Sequence, residues 1–237
     1  MEFRKADYDA VTFDVYGTLL NWEPEIAAFL GSWAHSNGLV VGREELLGVY
    51  DALRQPIQDA RPALLYPEVL ARTFDGIAAH YQVAANPAMR TAFAQSACHH
   101  PAYPDAQSAL AALRGAGFVL GALSNIDETS FAAATGAAGL AFDIVVTAER
   151  VGAYKPDHLH FQTALADLAQ RGVPQARVLH VAQSRRADVV PCNALGITSV
   201  WVERPGHVFG RSGAGAGSAQ PDAVVGSLAE LINRLDI

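Results

Sequence analysis

The stretch Phe13-Asp14-Val15-Tyr16-Gly17-Thr18-Leu19 follows directly on the apolar run that begins at Tyr8. An apolar run that ends in a carboxylate and then a glycine reads as a buried strand running out into a tight turn. In an open α/β sheet, the crevice at the carboxyl ends of the strands is where reactive groups are presented. An aspartate held there and followed by Gly-Thr can act as a rigid nucleophile. Position 16 carries Tyr rather than a second acid, and that narrows the chemistry.

Further short apolar runs repeat the pattern at Phe118 to Leu123, Ile144 to Thr147, Val178 to Ala182 and Thr198 to Val202, with the first strand expected over Ala10 to Val15. Near-continuous apolarity is the mark of parallel strands covered on both faces. Helix-length segments alternate with the runs: Asp105 to Arg114, Glu128 to Thr135, His160 to Gln170 and Ala187 to Leu195. Gly117 and Gly196 stand just past two of them, where helices stop. The alternation predicts an α/β chain with a doubly wound, Rossmann-like parallel sheet.

The rhythm breaks once. From Pro24 to about Ala97 there is no comparable strand, only helical patterns at Glu25 to Ser36, Glu44 to Arg54, Pro67 to Tyr81 and Pro87 to Ser96. This predicts an all-helical cap, residues 21–100, inserted into a core made of 1–20 and 101–237. Pro101 and Pro104 mark the return to the core. The glycine-rich stretch Gly210 to Ala219 does not link a strand to a helix, as a phosphate loop must, and reads as a flexible surface loop.

Composition sets outer limits. With 51% hydrophobic and 17% charged residues over 237 positions, the chain can bury a large core, and wholesale disorder is excluded. A net charge of -7, without blocks of like charge, argues against a nucleic-acid partner. No apolar run is long enough to span a bilayer, and the start Met1-Glu2-Phe3-Arg4-Lys5 has no signal-peptide pattern, so a soluble, cytoplasmic protein without a membrane partner is expected. Cys98 and Cys192 have neither disulfide nor metal spacing and read as reduced thiols. His99, His100 and the scattered histidines read as surface or cap residues rather than ligands.

Four motifs fall at successive strand ends: Asp14-Val15-Tyr16-Gly17-Thr18, Ser124-Asn125, Tyr154-Lys155-Pro156-Asp157 and Gln183-Ser184-Arg185-Arg186-Ala187-Asp188. In this order, with a helical insertion after the first, they resemble the haloacid dehalogenase superfamily over essentially the whole chain. The resemblance implies Asp14 as nucleophile, Ser124 as the second-motif hydroxyl, Lys155 as the third-motif lysine and Asp188 as the fourth-motif acid. The residue types make chemical sense on their own account. A carboxylate is a weak nucleophile that needs shelter from water and a cation to keep it ionised. Lys155 can supply that cation and be held by Asp188, while Thr18 and Ser124 can donate hydrogen bonds to Asp14.

Most of the superfamily transfers phosphate, which calls for an acid two residues after the nucleophile and another opening the fourth motif to help hold magnesium. Here those places carry Tyr16, whose reference pKa is about 10 against about 3.9 for Asp, and Gln183, a neutral amide and a poor magnesium ligand. The Asp-x-Tyr-Gly-Thr form resembles the 2-haloacid dehalogenase branch, which implies attack on a carbon beside a carboxylate, an aspartyl ester, and no cofactor or metal. A small carboxylate substrate and a homodimer are implied with it. In that branch Asn125 and Tyr16 would cradle the leaving group or the carboxylate, and Trp22 would form an apolar wall. Arg54, one helical turn past Tyr50-Asp51, would stand in for a cap arginine. Phe161 stands where an aromatic hydroxyl is expected, and Gln183 and Arg185 replace a Ser and an Asn. The cap itself resembles that of azetidine-2-carboxylate hydrolases, through Leu19-Leu20-Asn21-Trp22-Glu23 and Leu65-Tyr66, which implies ring opening as the alternative. Magnesium-dependent phosphate hydrolysis remains a further alternative. Arg185-Arg186 read either as a solvated helix start or as an anion contact.

Overall fold

A computed structural model describes residues 4–61, 63–204, 206, 209 and 216–237. Strand β1 (Ala10–Phe13) is buried at every position, as expected of a central strand covered on both faces. It lies between β2 (Val119–Ser124) and β4 (Val178–Ala182), parallel to both, with Phe13 opposite Ala122 and Val181. Outward from these run β3 (Ile144–Thr147) on one side, β5 (Thr198–Val202) and β6 (Ala223–Val225) on the other, giving the order β3-β2-β1-β4-β5-β6. All pairs are parallel. The order reverses between β1 and β4, which opens a crevice at their carboxyl ends. Asp14 stands at that point, its N–H still donating to Val181 O at 3.1 Å.

The expected run to Val15 stops two residues early because the chain turns. Gly17 N–H donates to Leu20 O at 2.8 Å, and Leu19 and Leu20 N–H both donate to Val15 O. Gly17 has φ +100°, and a Cβ there would lie 3.0 Å from Gln183 Oε1 and 3.2 Å from Trp22 Nε1. Only glycine fits this turn without displacement.

Between Leu20 and Ala102 come four helices: α1 (Glu23–Ser36), α2 (Arg43–Asp59), α3 (Tyr66–His80) and α4 (Pro87–Gln95). Their apolar faces meet around Trp33, Tyr50, Phe74 and Phe93, continuous with the core beneath the sheet. Helix α2 runs five residues beyond the expected end at Arg54, straight through Pro56. A proline lacks one N–H and need not stop a helix whose other contacts hold it. The chain leaves and re-enters the sheet layer side by side: Asn21 N–H donates to Pro101 O at 2.7 Å and Tyr103 N–H to Leu19 O at 2.8 Å.

The remaining helices flank the sheet: α5 (Ala106–Gly115), α6 (Glu128–Ala137), α7 (Ala148–Val151), α8 (Leu159–Gln170), α9 (Val190–Leu195) and α10 (Leu228–Leu235). The helix expected over Ala187 to Leu195 is in fact a π-helical turn, Arg185–Val189, followed by α9. The elements predicted from the sequence pattern include neither the sixth strand nor α10. Three residues between Asp222 and Gly226 carry too little pattern for a strand to be read. For α10 the signal was present: Ser227 Oγ caps Glu230 N–H, Glu230 accepts from Gly226 N–H, and Leu228, Leu231 and Leu235 are buried at helical spacing. Among the described residues no helix is long and apolar enough to cross a membrane. Of the glycine-rich stretch, residues 210–215 lie outside the described residues.

Candidate active site

Asp14 is buried at the end of β1 and is held through both oxygens. Thr18 Oγ1 donates to Oδ2 at 2.8 Å, and Lys155 Nζ donates to Oδ1 at 2.9 Å. The Thr18 hydroxyl also accepts from Gln183 N–H at 2.8 Å, so one side chain ties the β1 turn to the end of β4.

Lys155 reaches the site from the loop beyond β3. Thr147 caps the short α7, Gly152 in the left-handed conformation ends it, and the chain swings back towards β1. Asn125, at the end of β2, clamps the lysine's backbone from both sides: its Oδ1 accepts from Lys155 N–H at 2.6 Å and its Nδ2 donates to Lys155 O at 3.0 Å. The ammonium spends its three donors on Asp14, on Leu123 O at 2.7 Å and on Asp188 Oδ1 at 2.7 Å.

Asp188 is fully buried on the π-helical turn after β4. That turn is opened by Ser184 Oγ, which accepts from Ala187 N–H, and widened by the bond from Val189 N–H back to Ser184 O. Such turns often occur at functional sites. Asp188 Oδ1 receives a second donor, His180 Nε2 at 3.1 Å, while Thr12 Oγ1 lies 2.9 Å from His180 Nδ1. The network assigns the proton to Nε2, with the Thr12 hydroxyl donating to Nδ1. Asp188 Oδ2 has no hydrogen-bond partner among the described residues. His180 and Thr12 sit inside β4 and β1, where the sequence shows only buried strand.

Three charges packed together cannot titrate independently. Burial pushes the Asp14 carboxyl above the usual carboxylate range, against the pull of Lys155, and the charge on Asp188 adds to the rise. Burial also works to raise Asp188, but Lys155 and His180 outweigh it and hold that carboxyl low. Burial disfavours the Lys155 cation, yet the two carboxylates carry its pKa above normal. The lysine therefore stays charged, Asp188 is its firm counter-ion, and Asp14 is the more basic of the two acids.

A cavity of about 110 Å³ opens onto this cluster. Its core wall includes Asp14, Tyr16, Asn125, Lys155, Gln183 and Asp188, and its helical wall Trp22, Asp51, Arg54, Gln55, Gln58 and Tyr66. Arg186 and Phe209 also line it, with Phe209 stacked on Trp22 at 5.2 Å. Nearly every residue singled out from the sequence is thus brought to one place.

Ser124 departs from expectation. Its Oγ is buried with no hydrogen-bond partner among the described residues, so it does not orient Asp14, while its backbone O accepts from His160 Nε2 at 3.2 Å. Tyr16 donates its hydroxyl to Ala97 O at 2.7 Å, and burial holds its pKa far above normal. Its one proton is committed to joining the end of the helical segment to the β1 turn. Gln183 turns its amide to Phe209 O and its backbone O to Trp201 Nε1. Arg54 lines the cavity bonded to Asp51 at 2.6 Å and to Gln58 at 2.8 Å. Phe161 packs against the His180 ring instead of facing the cavity. His100, expected at the surface or in the cap, is buried edge-on against Tyr16, and burial lowers its pKa to about 4.

The donor set fits a divalent ion poorly. Hard cations call for several anionic oxygens, but Lys155 already bridges Asp14 and Asp188, and position 183 offers an amide turned elsewhere. Among the described residues no group of three His, Cys, Asp or Glu side chains could hold a metal.

The chain is 25% identical to the (S)-2-haloacid dehalogenase H-109 of Pseudomonas putida over 220 residues, 87% of this chain and 90% of that protein. Its fold matches the L-2-haloacid dehalogenase from Xanthobacter autotrophicus with chloropropionic acid covalently bound, with a TM-score of 0.73, 22% identity, and 97% and 98% of the two chains covered. It also matches the structure of the HAD-hydrolase YfnB from Bacillus subtilis bound to magnesium, with a TM-score of 0.78, 18% identity, and coverage of 97% and 99%. Fold likeness alone does not choose a reaction. The model of the haloacid dehalogenase-like hydrolases matches residues 8–196, from β1 through all four strand-end motifs to the end of α9, and the chain belongs to that family of hydrolases.

Proposed function

We propose that the protein hydrolyses short 2-haloacids by nucleophilic substitution at carbon, with Asp14 as nucleophile. The observation that carries this reading is the way Asp14 is held: sheltered from water, fixed by Thr18 and Lys155, and faced by a tyrosine that has no proton to give. A phosphate monoester needs its leaving alcohol protonated. A halide leaves as a stable anion and needs no acid.

In the first step an Asp14 carboxylate oxygen attacks C2, the carbon–halogen bond breaks, and the halide departs with the bonding pair. In the second, water attacks the carbonyl carbon of the resulting ester, and the bond between that carbon and the substrate oxygen breaks. Asp14 is restored, and a 2-hydroxyacid leaves with the oxygen that Asp14 supplied. Asp188 Oδ2, an acceptor with no partner of its own among the described residues, takes one proton from the attacking water and then releases it to solvent. The water's second proton passes through the re-formed Asp14 carboxyl to the departing substrate oxygen. Lys155 keeps Asp14 charged in the first step and offsets charge on the ester carbonyl in the second. Residues 21–100 form the cap that carries the substrate wall on the core of 1–20 and 101–237. A cavity of about 110 Å³ is smaller than the roughly 150 Å³ that holds benzene, which suits acids of a few carbons.

Asp51 on the cavity wall favours a second reading, in which a strained ring beside the carboxylate opens and the departing amine meets that acid. A panel of 2-chloropropionate, azetidine-2-carboxylate and phosphoglycolate, each with and without EDTA, separates the readings. Chloride release that resists EDTA is expected. Phosphate release that EDTA abolishes, with no chloride released, overturns the proposal.

A further inference from the structure

A substrate that carries a carboxylate needs a cation in the cavity whose charge is not already spent. Three cationic side chains line it: Lys155, Arg54 and Arg186. Lys155 has all three donors engaged, two of them on carboxylates. Arg54 is paired at 2.6 Å with Asp51, which is itself on the wall, and the two side chains are only 16% and 24% exposed. Arg54 Nε has no hydrogen-bond partner among the described residues, but the guanidinium charge is matched by Asp51. To draw it away would strand a largely buried carboxylate, a costly exchange. Arg186 differs. Its side chain is as sheltered as that of Arg54, but its one ion pair among the described residues is a long contact of 3.4 Å to Asp59, which is 55% exposed and does not line the cavity. To lose such a partner to water costs little.

We infer that Arg186, rather than Arg54, is the anchor for the substrate carboxylate, and that the substrate displaces Asp59 to reach it. The inference takes its substrate class from the haloacid reading above. Arg186 stands two residues before Asp188 on the π-helical turn, so a carboxylate bound there is carried by the same turn that orients the Lys155–Asp14 pair. A planar guanidinium with five donors binds a carboxylate through two parallel bonds. Asp59, at the C-terminal end of α2, acts as a placeholder that keeps the guanidinium charge-matched between turnovers. Nothing in the residue pattern at 183–188 distinguishes Arg185 from Arg186. In the fold, Arg185 lies over the Trp201 ring and donates to Ala219 O, away from the cavity.

The test compares the wild type with Arg186→Gln, Arg186→Lys and Asp59→Asn, in 2-chloropropionate kinetics and in ligand-observed NMR titrations with propionate and with uncharged propionamide. Arg186→Gln is expected to raise KM and weaken propionate about 10-fold or more, with kcat within about threefold and propionamide unaffected. Arg186→Lys recovers part of the loss, and Asp59→Asn lowers KM about twofold. An Arg186→Gln enzyme with unchanged KM and unchanged propionate binding overturns the inference and leaves the haloacid reading standing. Wild type that releases no chloride, yet loses propionate binding on Arg186→Gln, upholds the anion anchor and removes the haloacid reading. Wild type that binds no propionate overturns the anchor.

Discussion

The two walls of the cavity are built in different ways. On the core wall each functional side chain hangs from the end of a buried strand or the loop just beyond it, and its donors and acceptors are met by groups far away in sequence: Thr18 by Gln183, Asn125 by Lys155, Lys155 by Asp14 and Asp188. On the helical wall Asp51, Arg54, Gln55 and Gln58 bond to one another along two turns of α2, with Arg54 Nε and Gln58 Nε2 left without a partner among the described residues. Long-range bonds fix a reacting group to within fractions of an ångström because the whole sheet resists its movement. Bonds within one helix can be re-formed by one or two substitutions without disturbing the fold. The groups around Asp14 are therefore held where change is expensive, whereas the α2 wall can change at little cost to the fold.

Substitutions on the two walls should separate accordingly. Lys155→Met leaves Asp14 and Asp188 buried without their cation. It should abolish turnover and lower stability by about 3–5 kcal/mol, read from urea midpoints. A stable, active Lys155→Met enzyme would erase the distinction between the walls. Thr18→Val keeps the shape but removes one donor from Asp14 and the acceptor of Gln183 N–H, so kcat should fall about 100- to 1,000-fold and stability by about 1–3 kcal/mol. At the other wall, Gln55→Ala removes one bond to Asp51 and should change kcat less than about twofold, its effect confined to KM. A Gln55→Ala enzyme as crippled as Thr18→Val would show that α2 takes part in the chemistry itself.

The pH profile sharpens the same contrast. Asp14 attacks only as the carboxylate, and burial has raised its pKa above 3.8. Activity should therefore be lost as pH falls through a midpoint above that value, and persist on the alkaline side until Lys155 loses its proton above 10.5. Because the Thr18 bond lowers the Asp14 pKa, Thr18→Val should move the acid midpoint of kcat/KM upward. Gln55→Ala should leave it in place.

The same division decided what could be read from the sequence. The strand ends announce themselves: an apolar run that stops at Asp14, at Ser124 or at Gln183 can be seen without coordinates, and β3, β4 and β5 begin and end where the pattern says. The partners that act across the sheet cannot. His180 looks like any residue of a buried strand until β1 is laid beside β4 and Thr12 meets it. Ser124 offers a hydroxyl in the right motif, yet side-chain direction at the end of β2 leaves that hydroxyl unbonded. In α2, spacing brings Arg54 to the wall, but only the coordinates show Asp51 already in possession of it. The choice between Arg185 and Arg186 depends on a π-helical turn, which no periodicity announces.

The central claim is that Asp14 becomes covalently bonded to a substrate carbon and is released by water attacking the protein side of that bond. A single turnover of 2-chloropropionate in H₂¹⁸O, with excess enzyme, followed by mass spectrometry of the peptide that contains Asp14, tests it directly. The account predicts one heavy oxygen in the Asp14 carboxylate, an unlabelled hydroxyacid, and no label in an Asp14→Asn control. Heavy oxygen found in the product, with none in the peptide, would mean that water attacks the substrate itself and would contradict the account.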